Sequence, residues 1–294
     1  TLIAFSRNEV LNDCVDKALS GESKNGDTTV KGRALQIITN PVYSNGEKNG
    51  AICLIIDVSA KKKAEKMRRE FTANVTHELK TPLTSISGYA EIIASGLVKP
   101  DDIPNFANKI HKESGRLLSL ISDIMELSQL DEKFSDEEFA PVDLAGVAAE
   151  VAEDLRSNAE KHGITITVDT KTAVINGNRN QIYELIYNLC DNAIRYNREN
   201  GSVKIITGDD NEHPFVKVAD TGIGIAPEEQ GKVFERFYRV DKSRSKARGG
   251  TGLGLAIVKH AALYHHATLD LSSELGVGTT ITVTFPIQQD EPFA

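Results

Sequence analysis

The chain has 294 residues, 40% hydrophobic and 26% charged, an ordinary globular composition with room for two or three domains. Its 34 basic against 42 acidic residues give a net charge of −8, which excludes the basic footprint of a nucleic-acid binder. No run reaches the roughly 20 apolar residues of a membrane span, no secretory signal opens the chain, and Cys14, Cys53 and Cys190 lack metal-ligand spacing.

Residues 8–19 read as a helix. Two strand-like runs follow, 28–38 and 51–58, with the turn-prone Tyr43, Ser44, Asn45 and Gly46 between them. One helix and one hairpin rarely enclose a core, so residues 1–58 are expected to be the C-terminal part of a larger domain. Asp57 or Ser59 can cap the long helix that follows, at about 60–96. A second long helix opens near Asp101 and Pro104 and runs to about 130. Its Ile103, Phe106, Ile110, Leu117, Ile121 and Ile124 recur on one helical face. Two such helices with a short connection form an antiparallel hairpin, and two hairpins bury their apolar stripes as a four-helix bundle. A homodimer is therefore expected.

Residues 131–140, which open with the acidic stretch 131–138, read as a mobile interdomain linker. Beyond it, helices are predicted at 144–161, 179–196 and 253–265, and strands at 164–169, 202–208, 214–219, 268–273 and 279–285. Helices layered on a mixed sheet make an α+β domain. The Gly-rich, charged segment 220–252 is too long for a plain connection and is expected to be functional.

Four segments carry candidate chemistry. The first is 71–83, FTANVTHELKTPL, on the first long helix. His77 points away from the apolar Val75 and Leu79, and Glu78 follows it directly. Pro82 cannot donate to the carbonyl of Glu78, so the helix is expected to bend or loosen one turn beyond the histidine. An exposed helical histidine is usually only surface; a proline break beside it is a cost to the helix that points to use. The second segment is 188–196, NLCDNAIRY. Asn188 and Asn192, four apart, project side by side, and amide oxygens suit a hard cation such as Mg²⁺. Arg195 and Tyr196 lie near that face and could meet phosphates. An ordinary polar helix face is the competing reading.

The third segment, 220–225, DTGIGI, follows a predicted strand. Gly222 and Gly224 permit close backbone approach, and Asp220 can accept a hydrogen bond from an exocyclic amine such as that of adenine. The fourth, Gly250-Thr251-Gly252-Leu253-Gly254, opens a helix, where backbone N–H groups and the helix dipole attract anions. Arg239, Lys242, Arg244, Lys246 and Arg248 stand upstream of it, as a solvated surface or a lid. No single glycine-rich element is decisive.

Taken together and in order, these segments resemble the sensor histidine kinases of two-component signalling, over roughly residues 50–287. Residues 77–83 look like the family's H-box, 188–196 like the N-box, 220–225 and 250–255 like the G-boxes, 234–239 like the F-box and 276–279 like the last glycine element. Residues 1–58 look like the C-terminal part of a PAS domain, and the subgroup resembles phosphate-regulon and cell-wall sensors. The resemblance implies a multidomain α+β chain: a partial PAS segment at 1–58, a dimerisation and phosphotransfer hairpin at 59–132 and an α/β sandwich of the Bergerat type, binding ATP, at 133–294. It implies that His77 is the phosphoacceptor, Glu78 a general base, and Thr81 an orienter of water for dephosphorylating the partner. Asn188 and Asn192 would serve Mg²⁺, with Asn192 the metal ligand, and Asp220 would read adenine. Arg195, Tyr196 and Arg239 would contact phosphates. Gly222, Gly224, Phe237, Gly250, Thr251, Gly252, Leu253, Gly254 and Thr279 would complete the nucleotide site. The partner would be the receiver domain of a response regulator. Because the chain opens at Thr1 rather than Met, it is expected to be the cytoplasmic portion of a bacterial sensor whose membrane anchor lies in other segments. A non-catalytic dimeric scaffold, or another ATPase of the same nucleotide fold, are the alternatives.

Overall fold

The computed structural model of the protein describes residues 8–132, 139–210, 213–240 and 250–287, and the side chains of all of these but 126–132. They fall into two compact units, Thr1–Thr76 and His77–Ala294.

The first unit begins with α1, Glu9–Ser20. Asn8 caps it, its side chain accepting from the Leu11 N–H, and Gly21 ends it at φ 105°. A three-stranded antiparallel meander follows: β1 Lys24–Val30, β2 Arg33–Ser44 and β3 Glu47–Asp57. The single strand expected at 28–38 is thus two strands. Lys31 and Gly32 hold φ of 49° and 78°, the mirror-image two-residue turn that suits strand twist. Asp57 caps the next helix by accepting from Ser59 N–H at 2.9 Å, while Ser59 Oγ accepts from Ala34 N–H at 2.8 Å.

Helix α2 spans Ser59–Ala94 and continues unbroken through Pro82, whose ring is buried. The expected interruption there is not seen as a break in the helix. Part of the reason is local: the hydroxyls of Thr81 and Ser85 donate to the carbonyls of His77 and Thr81, each at 3.2 Å, supplementing the ladder around the proline. A single 3-10 turn, Pro100–Asp102, leads into α3, Ile103–Glu132, which completes the hairpin. Most of the expected linker, 133–138, lies outside the described residues.

The remainder is a five-stranded sheet of order β5-β7-β8-β10-β9, with helices on one face. The strands are β5 Thr165–Thr170, β7 Ser202–Asp210, β8 His213–Asp220, β9 Thr268–Glu274 and β10 Gly278–Thr284. β5 pairs with β7 in parallel; the other pairs are antiparallel. The helices are α4 Leu144–Lys161, α5 Arg179–Arg195, the short α6 Pro227–Gln230 and α7 Gly254–Tyr264. The predicted bounds of α4, α5 and α7 agree to within a residue, while α6 was not foreseen; the agreement follows from strong apolar spacing, since Leu144, Val147, Val151 and Leu155 of α4 are all buried. They meet Ile182, Leu185 and Ile186 of α5 and the inward Val203, Ile205, Val216 and Val218 of the sheet. Each such side chain contributes about 1.5–3 kcal/mol by leaving water. Two four-residue strands, β4 Ala140–Asp143 and β6 Val174–Gly177, form a separate pair that the sequence reading did not include.

Helices α5 and α7 are tied by a buried histidine. His265 Nδ1–H donates to the Ala261 carbonyl at 2.7 Å, and Nε2 accepts from the Asn178 N–H at 3.0 Å. Both ring nitrogens are used in the neutral form, and burial pushes the pKa below its ordinary value, against the Ala261 hydrogen bond. The unfolded chain therefore takes up a proton first as pH falls. Stability from this group is intact above about pH 6.5 and is lost as pH drops from there toward the lower folded value, by at most about 1.4 kcal/mol per unit. Urea unfolding between pH 8 and 5 should show this slope in the wild type and lose it in His265→Gln. An equal slope in the variant would assign the pH dependence elsewhere.

Candidate functional site

The C-terminal part of α5, the turns after β8, and the start of α7 enclose a cavity of about 560 Å³. Asn178 caps α5 and fixes its register, so that Asn188, Asn192, Arg195 and Tyr196 line this cavity. The side chains of Asn188 and Asn192 lie against the first residue of α7. A Cβ on Gly254 would stand 2.8 Å from Asn188 Oδ1 and 3.2 Å from Asn192 Nδ2. Asn188 Nδ2 donates to the Glu184 carbonyl at 2.9 Å, which leaves its oxygen to the cavity side. Among the described residues, no group of three or more His, Cys, Asp or Glu could hold a metal. The amide oxygens are hard neutral donors of the kind Mg²⁺ accepts, provided a polyphosphate completes its shell. Arg195 pairs with Asp191, at 2.6 Å from Nη2 and 3.2 Å from Nε.

Asp220 ends β8 at the inner wall of the cavity. Its Oδ1 accepts from the N–H of Gly222 at 2.7 Å and of Thr279 at 3.3 Å. Burial pushes its carboxyl up, and those two hydrogen bonds pull it down. One oxygen is thus engaged by the backbone while the carboxylate still borders the cavity, the arrangement needed to receive an amine. Gly224 holds φ +67°, and a Cβ there would overlap the carbonyl of Glu274. Thr279 Oγ1 meets Ser273 Oγ at 2.8 Å, and Ser273 Oγ accepts from Ile225 N–H at 2.8 Å. These bonds fasten the turn 221–225 to β9 and β10.

The opposite wall is built by Tyr238, Arg239, Gly250, Thr251 and Gly252, with Phe237 behind it rather than on the lining. Phe237, at φ 63°, donates its N–H to the Gly252 carbonyl at 2.8 Å. Leu253 is fully buried below this loop and anchors it. Arg239 Nη2 donates to the Thr251 carbonyl at 2.8 Å and to Glu78 Oε2 at 3.1 Å. Its side chain is only 6% exposed, and its Nε has no hydrogen-bond partner among the described residues. Lys242, Arg244, Lys246 and Arg248 lie outside the described residues.

On the hairpin, His77 is 80% exposed and its Nδ1 is 3.9 Å from Glu78 Oε1. Glu78 is also approached by Arg116 at 3.8 Å. Thr81 sits one turn along, its hydroxyl donating to the His77 carbonyl.

The structure therefore gathers Asn188, Asn192, Arg195, Tyr196, Asp220, Gly224, Arg239, Gly250, Thr251, Gly252, Gly254 and Thr279 around one cavity, while His77, Glu78 and Thr81 form a separate group on α2. Other residues that shape the site were not among those expected. Ser119 and Asp123 of α3 also line the cavity. Asn197, buried, donates to the carbonyls of Ala193 and Ser202 and accepts from Thr221 Oγ1 and Arg198 N–H, joining α5 to β7 and the turn after β8. A polar residue directly beyond the N-box helix was the available signal for Asn197.

Residues 67–133 match the His Kinase A (phospho-acceptor) domain, and 177–289 match the histidine kinase-, DNA gyrase B- and HSP90-like ATPase family. The chain belongs to the sensor histidine kinases. It is 38% identical over 250 residues to the sensor-like histidine kinase SenX3 of Mycolicibacterium smegmatis, covering 85% of this chain and 65% of that one. It is 35% identical over 248 residues to the phosphate regulon sensor protein PhoR of Pseudomonas aeruginosa, covering 83% and 55%. The kinase chain thus spans less than two thirds of the length of these relatives. Its fold is that of histidine kinase ThkA, solved in complex with the response regulator protein TrrA, with a TM-score of 0.60, 22% identity, and coverage of 97% of this chain and 86% of that one.

Proposed function

We propose that this sensor kinase transfers the terminal phosphoryl group of ATP to His77, and from there to an aspartate on the receiver domain of a response regulator. The observation that carries this reading is an exposed histidine with a carboxylate beside it, on a phospho-acceptor hairpin, in the same chain as an ATPase-type nucleotide cavity. Phosphoryl transfer asks for positioning and charge neutralisation more than covalent help. In the first step a bond forms between a ring nitrogen of His77 and the γ-phosphorus, the bond to the bridging oxygen of ADP breaks, and the imidazole gives up its proton. Glu78 lies 3.9 Å from Nδ1, which supports attack by Nε2 with Glu78 as general base. Asp220 would hold the adenine amine, while Arg195, Tyr196, Arg239 and the 250–254 loop would receive the phosphates. Asn192, helped by Asn188, would hold Mg²⁺, which when bound neutralises charge on the phosphates.

The same proposal divides the chain at 58/59 and 132/133 into a partial PAS segment, a phosphotransfer hairpin and an ATP-binding domain. It makes the protein a homodimer, since Leu83, Ile92, Leu97, Ile103, Leu118 and Ile121 of the hairpin are all exposed in one chain. Among the described residues no helix is long and apolar enough to cross a membrane; a cytoplasmic place in a membrane-anchored sensor belongs to the proposal. The likeness to ThkA, solved with its response regulator, supports the choice of partner. Incubation with γ-labelled ATP tests the core of it: the label should be retained, labile in acid and stable in alkali, as a P–N bond requires. Acid-stable label, or none, would overturn the reading.

The phosphatase half rests on Thr81. Its hydroxyl hydrogen goes to the His77 carbonyl, so its oxygen remains an acceptor that can hold a water beside an incoming aspartyl phosphate. Thr81→Ala should keep autophosphorylation within about twofold and lower dephosphorylation of the regulator at least about tenfold. Equal loss of both rates would instead make Thr81 a support of the helix at Pro82.

A further inference from the structure

The hairpin contributes a carboxylate to the nucleotide cavity. Asp123 of α3 lines it together with Thr251 and Arg195, near enough for the Thr251 side chain and the Arg195 charge both to pull its carboxyl down. Thr251 belongs to the glycine-rich loop that opens α7, where backbone N–H groups collect anions. Its carbonyl is held by Arg239, whose other partner is the second hairpin carboxylate, Glu78. Two anions of the hairpin thus lie against two adjacent groups suited to phosphate, and the buried Arg239 has no partner for its Nε among the described residues. Burial pushes the Asp123 carboxyl up, only partly offset by Thr251 and Arg195, with the Asp191 charge adding to the rise. A carboxylate so placed repels a polyphosphate through a medium less screening than water.

We propose that Asp123 occupies the phosphate end of the nucleotide cavity in place of the terminal phosphate of ATP, so that binding of a triphosphate requires α3 to withdraw from it. This rests on the ATP site described above. The residue is then a selector of nucleotide charge: it leaves the adenosine end untouched and penalises each added phosphate. It also couples the two parts of the molecule, because a ligand that displaces Asp123 shifts the hairpin toward its undocked arrangement by its differential affinity for the two states.

The test is a charge series in the full chain. Wild type, Asp123→Asn and Asp123→Lys are titrated calorimetrically with adenosine, ADP and a non-hydrolysable ATP analogue. Affinity for the analogue should rise about threefold to tenfold with Asn and further with Lys, ADP should gain less, and adenosine should stay within about twofold. A flat series, a fall, or an equal gain for adenosine would overturn the proposal while wild-type binding leaves the ATP site standing. Wild type that binds none of the three would remove both. A second measurement needs no variant: saturating wild type with the analogue should speed amide exchange in residues 119–125, and unchanged or slower exchange there would end the idea.

Discussion

His77→Gln is expected to retain no acid-labile label while its affinity for an ATP analogue stays within about twofold of wild type. Gln keeps a polar side chain of similar reach but has no nucleophilic ring nitrogen, so the covalent step has no acceptor. The side chain is 80% exposed and makes no packing contribution that the substitution would remove, so stability should be unchanged within about 0.5 kcal/mol. The nucleotide cavity contains no atom of residue 77, which separates binding from chemistry. Loss of label should be at least about a thousandfold, the scale seen when a reacting group is deleted outright. Full labelling of the variant would move the acceptor to another residue. Loss of analogue affinity in parallel would place His77 in the binding site instead.

Gly224→Val is expected to be the most damaging single change in the nucleotide site. At φ +67° a side chain costs about 1–2 kcal/mol, and more when β-branched. The added Cβ also overlaps the Glu274 carbonyl, which belongs to a paired strand and cannot give way as a side-chain tip can. The turn must move, and with it the bonds from Gly222 and Thr279 to Asp220. The unfolding midpoint should fall by several degrees, and analogue affinity by at least about tenfold, with adenosine affinity falling as much because the base end is what shifts. Unchanged adenosine affinity would show that the turn 221–225 does not position the base.

How much of this was legible beforehand depended on the range of the interaction. Helix α4 could be bounded to the residue because its cap, Asp143, and its buried stripe are local signals. The strands β4 and β6 escaped because four residues, one of them Pro141, carry too little alternation to be read. The division of 28–38 was missed although Lys31-Gly32 stood in plain view, since Val30 is the one apolar residue of β1 and gives that strand no alternation of its own. Among the site residues, those on α5 and around the glycines were found from spacing. Asp123 was not, because it looks like one polar residue of a helical face until folding carries α3 to Thr251. Arg239 was assigned to phosphate; its bond to Glu78 depends on the same long-range approach and no spacing could have given it.

The two helices that floor the nucleotide cavity run in opposite directions and are pinned at both ends. His265 fastens the tail of α7 to the head of α5, and Gly254 brings the head of α7 against the two asparagines near the tail of α5. The pair behaves as a strut with no free end. It cannot splay to admit a bulkier guest, so the spacing between the asparagine amides and the glycine-rich loop is preset in the folded domain. Any give in the site is left to the facing wall around 233–240 and to α3, so a movement of α3 meets a site whose gauge is already cut and changes only its approach.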